Sequence, residues 1–296
     1  MAGKKEQKKK SNSQRYTTGQ LLNFASDSYL ERTSRPLYAI VFLLPFIVFY
    51  EIGTILINTD LLNQSQVRVV AFVWLQHFLE YLGTSDRIAW VAPPLVVIVI
   101  LIGLQVASRK AWYFCVGDYP PMVLECTLLA VPLIVLSLFF NSPTPSEGEM
   151  APAAAVAGQV VCAAGAGSLE AGGDTLMANV VTGVGAGIYE ELVFRLILIC
   201  ILMVFFQDLI GMNHQNAIVL SVLISAALFS AHHHIVLVDG QLGRSAPFNW
   251  TEFGFRTMAG VYFAGLFAIR GFGITAGTHA FYDIIATLIN AFFFAH

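Results

Sequence analysis

The sequence predicts an all-α membrane protein, a polytopic bundle of about seven transmembrane helices with additional interfacial helices. Of its 296 residues, 56% are hydrophobic and only 12% are charged, whereas soluble domains carry about 25% charged residues. The mean hydropathy is +0.69, and the apolar residues fall in runs long enough to cross a bilayer. The net charge of −3 provides no basic surface, which excludes nucleic acid as a partner.

The first 36 residues are predicted to be a basic tail followed by an interfacial segment. Lysines crowd the first ten positions, and polar sequence rather than an apolar run follows them, unlike a cleavable signal peptide. The positive-inside rule places this tail, and therefore the N-terminus, in the cytoplasm. A short interfacial helix is expected within 17–36, ended by Pro36.

Residues 37–142 are predicted to form an N-terminal transmembrane module. Three spans are expected, from about Leu37 to Ile57, Ala89 to Val106 and Met122 to Phe140. Residues 67–84 are less apolar, and we expect an interfacial or partly inserted helix there that does not cross. Glu51 is a secondary intramembrane acid to which the sequence assigns no use.

An Ala/Gly/Pro-rich linker, 143–174, is predicted to separate this module from a catalytic transmembrane core at 175–296. Four spans are expected in the core, at about Leu176–Phe206, Asn216–Val238, Phe253–Ile269 and Ile274–Phe294. The first is too long for one straight crossing, so a break is expected in the run Gly183–Gly187. Counting spans from a cytoplasmic tail puts Arg109, Lys110 and Arg270 on the cytoplasmic side too.

Three charged residues, Glu190, Glu191 and Arg195, lie at the start of a long apolar run. Each costs roughly 2.5–3.5 kcal/mol near the bilayer centre on insertion scales, so their presence needs a reason. A structural ion pair between Glu191 and Arg195, four positions apart on one helix face, is one reason. It does not account for Glu190, which we treat as a candidate functional residue.

Two further polar sites follow on later apolar helices. His233 lies four positions after Phe229, and His279 lies four before Asp283, so each pair shares a helix face. His232 and His234 are expected to point elsewhere and have no assigned role. Polar groups in hydrocarbon are stabilised by meeting one another or water, so the acidic pair and the histidines are expected to converge in one cavity.

These residue types suit the hydrolysis of a peptide bond by activated water. A buried carboxylate can take a proton from water, and imidazoles can orient the water or donate to an oxyanion. Other intramembrane protease chemistries fit less well. The sequence has no His-Glu-x-x-His zinc helix and no Gly-x-Ser-x-Gly elbow.

The motifs Glu190-Glu191-x-x-x-Arg195, Phe229-x-x-x-His233 and His279-x-x-x-Asp283 resemble the three signatures of the CAAX protease and bacteriocin-processing family, which includes the type II CAAX prenyl endopeptidases. The resemblance covers about 175–296. It implies that Glu190, with His233, activates water, that Glu191 and Arg195 orient it, and that His279 and Asp283 complete the oxyanion and water site. Position 283 is Asn in the prenyl endopeptidases and Asn or Asp elsewhere in the family.

No cofactor is predicted, although the set of Glu, His, His and Asp leaves a divalent ion such as zinc open, opposed by the charge of Arg195. The expected partners are the lipid bilayer and a substrate at the membrane: a membrane-proximal or lipid-anchored protein segment, or a small exported peptide. Two other functions remain as alternatives. One is a proton-coupled transporter, which the lack of an internal repeat disfavours; the other is a non-catalytic scaffold or immunity protein built on the same core.

Overall fold

A computed structural model describes residues 24–58, 69–85, 91–141, 173–238, 241–244 and 248–294. The basic tail and residues 143–172 of the predicted linker lie outside these residues, and the linker's last two positions begin α6. Ten α-helices are described, together with three π-helical stretches, a single 3₁₀ turn at Val116–Asp118 and one β-hairpin. The α-helices are α1 (Tyr29–Thr33), α2 (Pro36–Asn58), α3 (Val70–Tyr81), α4 (Ala92–Ser108), α5 (Tyr119–Asn141), α6 (Gly173–Glu191), α7 (Ile199–Met203), α8 (His214–His232), α9 (Trp250–Arg270) and α10 (Phe272–Ile289).

Five helical segments among the described residues are long and apolar enough to cross a membrane. They are Pro36–Ile57, Val116–Phe140, Leu176–Leu209, His214–His232 and Phe272–Phe293. The protein is therefore an integral, multi-pass membrane protein, and the all-α prediction is confirmed. Helix α4 is apolar but has 17 residues, and α9 has 21 residues but carries three charges, so the number seven stays a prediction.

Helix α3 is too short to cross. Its 12 residues rise about 18 Å, against a hydrocarbon thickness of about 30 Å. Phe72 meets the ring of Tyr189 edge-on at 4.9 Å between centroids, and Trp74 lies 5.7 Å from the ring of His232. The non-crossing helix expected at 67–84 therefore packs against residues next to the acidic pair.

The span predicted to reach Val238 ends earlier. Helix α8 stops at His232, and strands β1 (Ile235–Val238) and β2 (Gln241–Arg244) form an antiparallel hairpin in which Val238 pairs with Gln241. β-Branched residues dominate β1, and Asp-Gly, a dipeptide favoured in hairpin turns, separates the two strands in the sequence. This change in composition is the signal in the sequence that the apolar run is not a single helix.

The expected break at Gly183–Gly187 is wrong, because α6 is continuous from Gly173 to Glu191. The glycines instead allow α6 and α10 to approach each other closely and run antiparallel. A Cβ on Gly183 would lie 2.7 Å from the Asp283 side chain, and a Cβ on Gly187 would lie 2.5 Å from the backbone nitrogen of Ala280. The hydrogen-bonding pattern changes only after Glu191, where Leu192–Leu198 form a π-helix.

Replacing Gly187 with alanine is expected to lower the free energy of unfolding by about 1–3 kcal/mol, because the new methyl group meets backbone that cannot move alone. Thermal unfolding in detergent measures the effect. Gly103→Ala is the matched control: its Cβ would meet nothing within 4 Å, and helix propensity then favours alanine by about 1 kcal/mol. Equal midpoints for the two variants would contradict this account of the glycines.

A cluster of ion pairs joins the two halves of the chain at one end of the bundle, where α2, α5 and α10 begin and α4 and α9 end. Arg270 pairs with Glu125 at 2.6 Å and donates to the hydroxyl of Thr33 at 2.7 Å. Arg32 pairs with Asp118 through two hydrogen bonds of 2.9 Å each. These contacts hold α1, α5 and the end of α9 in one register.

Glu31, in α1, is the acid of this cluster that touches two cations. It lies 2.5 Å from Arg35 and 2.7 Å from Lys110. Burial acts to raise the pKa of Glu31, but the hydrogen bonds from Arg35 and Lys110 outweigh it and hold the pKa below its ordinary value of 4.5. The carboxylate therefore stabilises the fold above the unfolded-state pKa, and this contribution is lost as the pH falls through the lower folded-state pKa.

Acidification from about pH 6 to about pH 3 is thus expected to lower the thermal midpoint of the wild type more than that of Glu31→Gln. The variant has already lost the two charge pairs, while its other carboxylates titrate as in the wild type. Parallel declines of the two midpoints would show that Glu31 does not contribute in this way.

Candidate active site

Three helices bring the predicted polar residues together in the interior of the bundle. The acidic pair ends α6, the histidines end α8, and His279 and Asp283 lie on the inner face of α10. Glu191, Arg195 and His279 are fully buried, and Glu190 is 2% exposed. The convergence expected from the sequence is therefore present in the structure, well away from bulk solvent.

Glu191 connects Arg195 to His279. One carboxylate oxygen lies 3.0 Å from Arg195 Nε, and the other lies 2.7 Å from His279 Nδ1. A carboxylate only accepts, so His279 donates from Nδ1 and its Nε2 faces the opposite side. The ion pair predicted from the four-residue spacing thus also sets the orientation of His279.

Glu190 faces three imidazole nitrogens. Its Oε1 is 3.5 Å from His232 Nε2 and 3.8 Å from His233 Nε2, while its Oε2 is 3.9 Å from His279 Nε2. These separations are longer than direct hydrogen bonds. They are of the size that one shared water molecule would bridge by donating its hydrogens, or that one bound cation would bridge by coordination.

The backbone carbonyl of Phe229 orients two of these rings. His232 Nδ1 lies 2.5 Å and His233 Nδ1 lies 2.9 Å from this oxygen. Because a carbonyl only accepts, each Nδ1 carries a proton, and in the neutral ring each Nε2 is then an acceptor directed at Glu190. Glu190 and these histidines are therefore all acceptors facing one another, an arrangement that calls for a donor between them.

The expectation that His232 points away is wrong. It is the last residue of α8 and His233 is its C-cap, so the carbonyls of the final turn lack backbone partners, and nearby histidines can donate to them. Both rings turn to the same carbonyl and lie 3.9 Å apart between centroids. The position of His232 in the last turn was the signal available in the sequence. His234 packs against Phe248 instead, 4.9 Å away.

Asp283 lies beyond His279 on the same helix face. Its Oδ2 is 3.5 Å from His279 Nε2, so His279 has Glu191 at one nitrogen and Asp283 and Glu190 at the other. The Nδ1 side of the ring is occupied by Glu191. Asp283 is thus placed to act at the same nitrogen as Glu190.

Aromatic rings enclose these charges. Phe263 stacks on His279 at 4.4 Å and 17°, and the Arg195 guanidinium lies 4.2 Å above the centroid of Phe229. Stacking holds the imidazole plane, and the ring face stabilises the cation. Phe194 lies in the π-helical stretch, where the backbone hydrogen-bonding pattern differs from that of an α-helix. Its carbonyl accepts a hydrogen bond from the Ser225 hydroxyl at 2.6 Å.

One group of described residues has the geometry to hold a metal ion. Glu190, His232 and His233 each offer one ligand atom, and these atoms lie within 4.8 Å of one another. Three protein ligands with an open fourth position is the pattern of catalytic zinc sites. This set differs from the one predicted, since His232 enters it and neither His279 nor Asp283 does.

Glu51, which had no assigned use, touches the residue before the acidic pair. The Tyr189 hydroxyl donates to Glu51 at 3.1 Å. The Tyr189 ring also packs 5.4 Å from that of Tyr50. The intramembrane acid of the N-terminal half thus helps to fix the end of α6.

The comparisons with known proteins identify the segment that carries this site. Residues 173–285 match the family model described as Type II CAAX prenyl endopeptidase Rce1-like, and all three motifs lie within the match. No curated protein and no solved structure matched the chain. The resemblance predicted from the motifs is confirmed: residues 173–285 of this multi-pass membrane protein are similar to the Rce1-like type II CAAX prenyl endopeptidases.

Proposed function

We propose that the protein hydrolyses a peptide bond of a membrane-associated substrate with water activated by Glu190 and its histidines. The observation that carries the proposal is the ring of acceptors around Glu190, with His232 and His233 at 3.5 and 3.8 Å. A water molecule has two hydrogens to donate and can bridge the carboxylate to an imidazole. Held in this way, its oxygen lone pair is available for attack on a carbonyl.

The chemical step follows from these positions. Glu190 accepts a proton as the water oxygen bonds to the scissile carbonyl carbon, and the tetrahedral intermediate forms. The same proton is then delivered to the leaving nitrogen as the carbon–nitrogen bond breaks. The products are one carboxylic acid and one amine, and neither a covalent intermediate nor a redox step is needed.

His279 is placed to stabilise the oxyanion of that intermediate. Glu191 accepts from Nδ1 at 2.7 Å, and in the imidazolium form Nε2 also donates, beside Asp283 and Glu190. A donor held in a buried site before reaction needs little reorganisation as negative charge develops. Arg195 is a positioning residue in this scheme because it acts through Glu191.

The substrate class follows from the location of the site. Glu190 and His279 are buried within helices of membrane-spanning length, so the scissile bond has to be held at the membrane, as in a lipid-anchored or membrane-proximal segment. The family description reads CAAX prenyl endopeptidase, and a prenyl chain is one anchor of this kind. The position of Arg32, Arg35, Lys110 and Arg270 at one end of the bundle supports a cytoplasmic orientation for that end and for the N-terminus.

The test uses the purified full-length chain in lipid nanodiscs with three fluorogenic peptides: one with a farnesylated cysteine, one with a transmembrane anchor and one without an anchor. An anchored peptide is expected to be cut at a single bond, and the unanchored peptide more slowly. Solute or proton flux across vesicles without any cleavage would overturn the proposal and favour a transporter. If neither cleavage nor flux is observed, the result would favour a scaffold.

Hydrolysis is expected to continue in an excess of chelator, because water hydrogens can satisfy the acceptors around Glu190 without a cation. The same peptides are assayed after dialysis against chelator and after zinc is added back. Loss of activity in chelator with recovery in zinc would contradict metal-free water activation and assign Glu190, His232 and His233 as ligands.

A further inference from the structure

A cleft of about 230 Å³ opens between α2, α4, the π-helical stretch after α6 and the end of α9. It lies at the end of the bundle that holds the ion-pair cluster, and the predicted catalytic residues do not line it. Its lining has two different parts. One wall is polar, with Glu31, Arg35 and Lys110, and the other is apolar, with side chains from α4, α9 and the segment after Glu191.

The polar wall has more donors than its own carboxylate can satisfy. Arg35 is 6% exposed, and its Nη2 donates to Glu31 at 2.5 Å, but its Nη1 has no hydrogen-bond partner among the described residues. Lys110 shares the same Glu31 carboxylate at 2.7 Å. Asp27, 3.4 Å from Arg35, does not line the cleft, and 62% of its side chain is exposed.

The charges on this wall therefore favour an anion. Two cations, Arg35 and Lys110, face the cleft against the single carboxylate of Glu31. The Arg35 guanidinium also lies 5.0 Å from the centroid of the Tyr113 ring, and a phosphate in the cleft would give both cations a second charge-assisted acceptor. Ser34 and Ser108 also line this wall, but their hydroxyls donate to the carbonyls of Leu30 and Gln105 at 2.7 and 2.9 Å, so the two cations carry the argument.

The apolar wall has the character of an acyl-chain groove. Leu101, Leu196 and Phe267 line it, and Leu104 beside them is 40% exposed on the surface of a membrane-spanning bundle. A hydrocarbon chain can lie along these side chains while its headgroup stays level with the ion pairs. Free phosphate would satisfy the polar wall but would leave the apolar wall unused.

The amino-acid sequence adds a separate electrostatic argument. The lysine-rich segment at positions 4–10 precedes α1, the helix that supplies Glu31. Each lysine near an anionic leaflet contributes about 1 kcal/mol of attraction, so this end of the chain favours a surface of acidic lipids.

We propose that this cleft is a binding site for one anionic glycerophospholipid, with the phosphate at Arg35 and Lys110 and an acyl chain along the groove that Leu104 borders. The bound lipid would tie α1, α4 and α9 together at the ion-pair cluster. The site is separate from the acceptors around Glu190, and the inference does not depend on the proposed hydrolysis.

The test measures lipid retained by the full-length chain in native mass spectrometry, from mixed micelles that contain equal amounts of dioleoylphosphatidylglycerol and dioleoylphosphatidylcholine. One phosphatidylglycerol is expected to stay bound. Lys110→Gln is expected to reduce its occupancy about fivefold, the factor that corresponds to one lysine at an anionic surface. Arg109→Gln is the matched control, with the same loss of charge one residue away and outside the lining.

Leu104→Trp fills the groove without touching an ion pair and is expected to reduce phosphatidylglycerol retention to that of phosphatidylcholine. Leu128→Trp on α5 is its control, a surface leucine that is 60% exposed and outside the lining. Thermal midpoints show that each variant folds. Equal retention of the two lipids, equal losses in Lys110→Gln and Arg109→Gln, or unchanged retention in Leu104→Trp would overturn the proposal. The proposal would also be overturned if inorganic phosphate alone raised the thermal midpoint as much as phosphatidylglycerol does, because the site would then be a phosphate site.

Discussion

Replacing Glu190 with glutamine is expected to slow peptide hydrolysis about a thousandfold, within the 10²–10⁴ range for loss of a general base. Glutamine keeps the size of the side chain and one acceptor oxygen but takes up no proton at neutral pH. Binding of the anchored peptide is expected to persist, so the loss should appear in kcat rather than in KM. Initial rates in nanodiscs measure it.

Glu51→Gln is the matched control, the same change at another intramembrane carboxylate. Its amide oxygen can still accept the hydrogen bond that Tyr189 makes to Glu51 at 3.1 Å. Activity within a few-fold of the wild type is expected, with an unchanged thermal midpoint. Equal losses in Glu190→Gln and Glu51→Gln would mean that the first variant reports a general disturbance of α6 rather than a missing base.

The second large effect is on stability. Arg195→Met is expected to lower the free energy of unfolding by about 3–5 kcal/mol, because it leaves the fully buried Glu191 without its cation at 3.0 Å. The double variant Glu191→Gln with Arg195→Met removes both charges and is expected to recover part of that loss. Equilibrium unfolding in mixed micelles gives both values.

The pair of Arg256 and Glu252 is the comparison for Arg195→Met. Its N···O distance of 3.1 Å is similar, but 38% of the Glu252 side chain is exposed, so Arg256→Met is expected to cost about 0–1 kcal/mol. Equal costs for the two arginine variants would contradict the importance of burial. A double variant less stable than Arg195→Met would contradict the uncompensated charge as the cause.

The sequence alone predicted the structural features that depend on the spacing of residues along one helix. The apolar runs predicted the long helices, and the four-residue spacings predicted the pair of Glu191 with Arg195 and the shared face of His279 and Asp283. Intramembrane charge also predicted that these groups would converge, because hydrocarbon offers them no other partners.

Features that depend on contacts between helices were beyond this reasoning. The glycines at 183 and 187 were interpreted as a bend, because their need for space arises from α10, about 100 residues away in the chain. The prediction that His232 points away is wrong because helical periodicity does not hold for side chains where the helix ends. Arg195 pairs with Glu191, and Glu191 in turn accepts from His279. Only the distances in the structure show this chain of contacts.

A single turnover in H₂¹⁸O tests the water-activation claim most directly. Wild-type protein in chelator is mixed with an equimolar amount of anchored peptide, and mass spectrometry follows both the product and the protein fragment that contains Glu190. Direct attack by activated water predicts one ¹⁸O in the new carboxyl terminus and none in the Glu190 side chain. Label in the Glu190 carboxylate, which an acyl-enzyme intermediate would introduce, or no product in chelator would contradict the account.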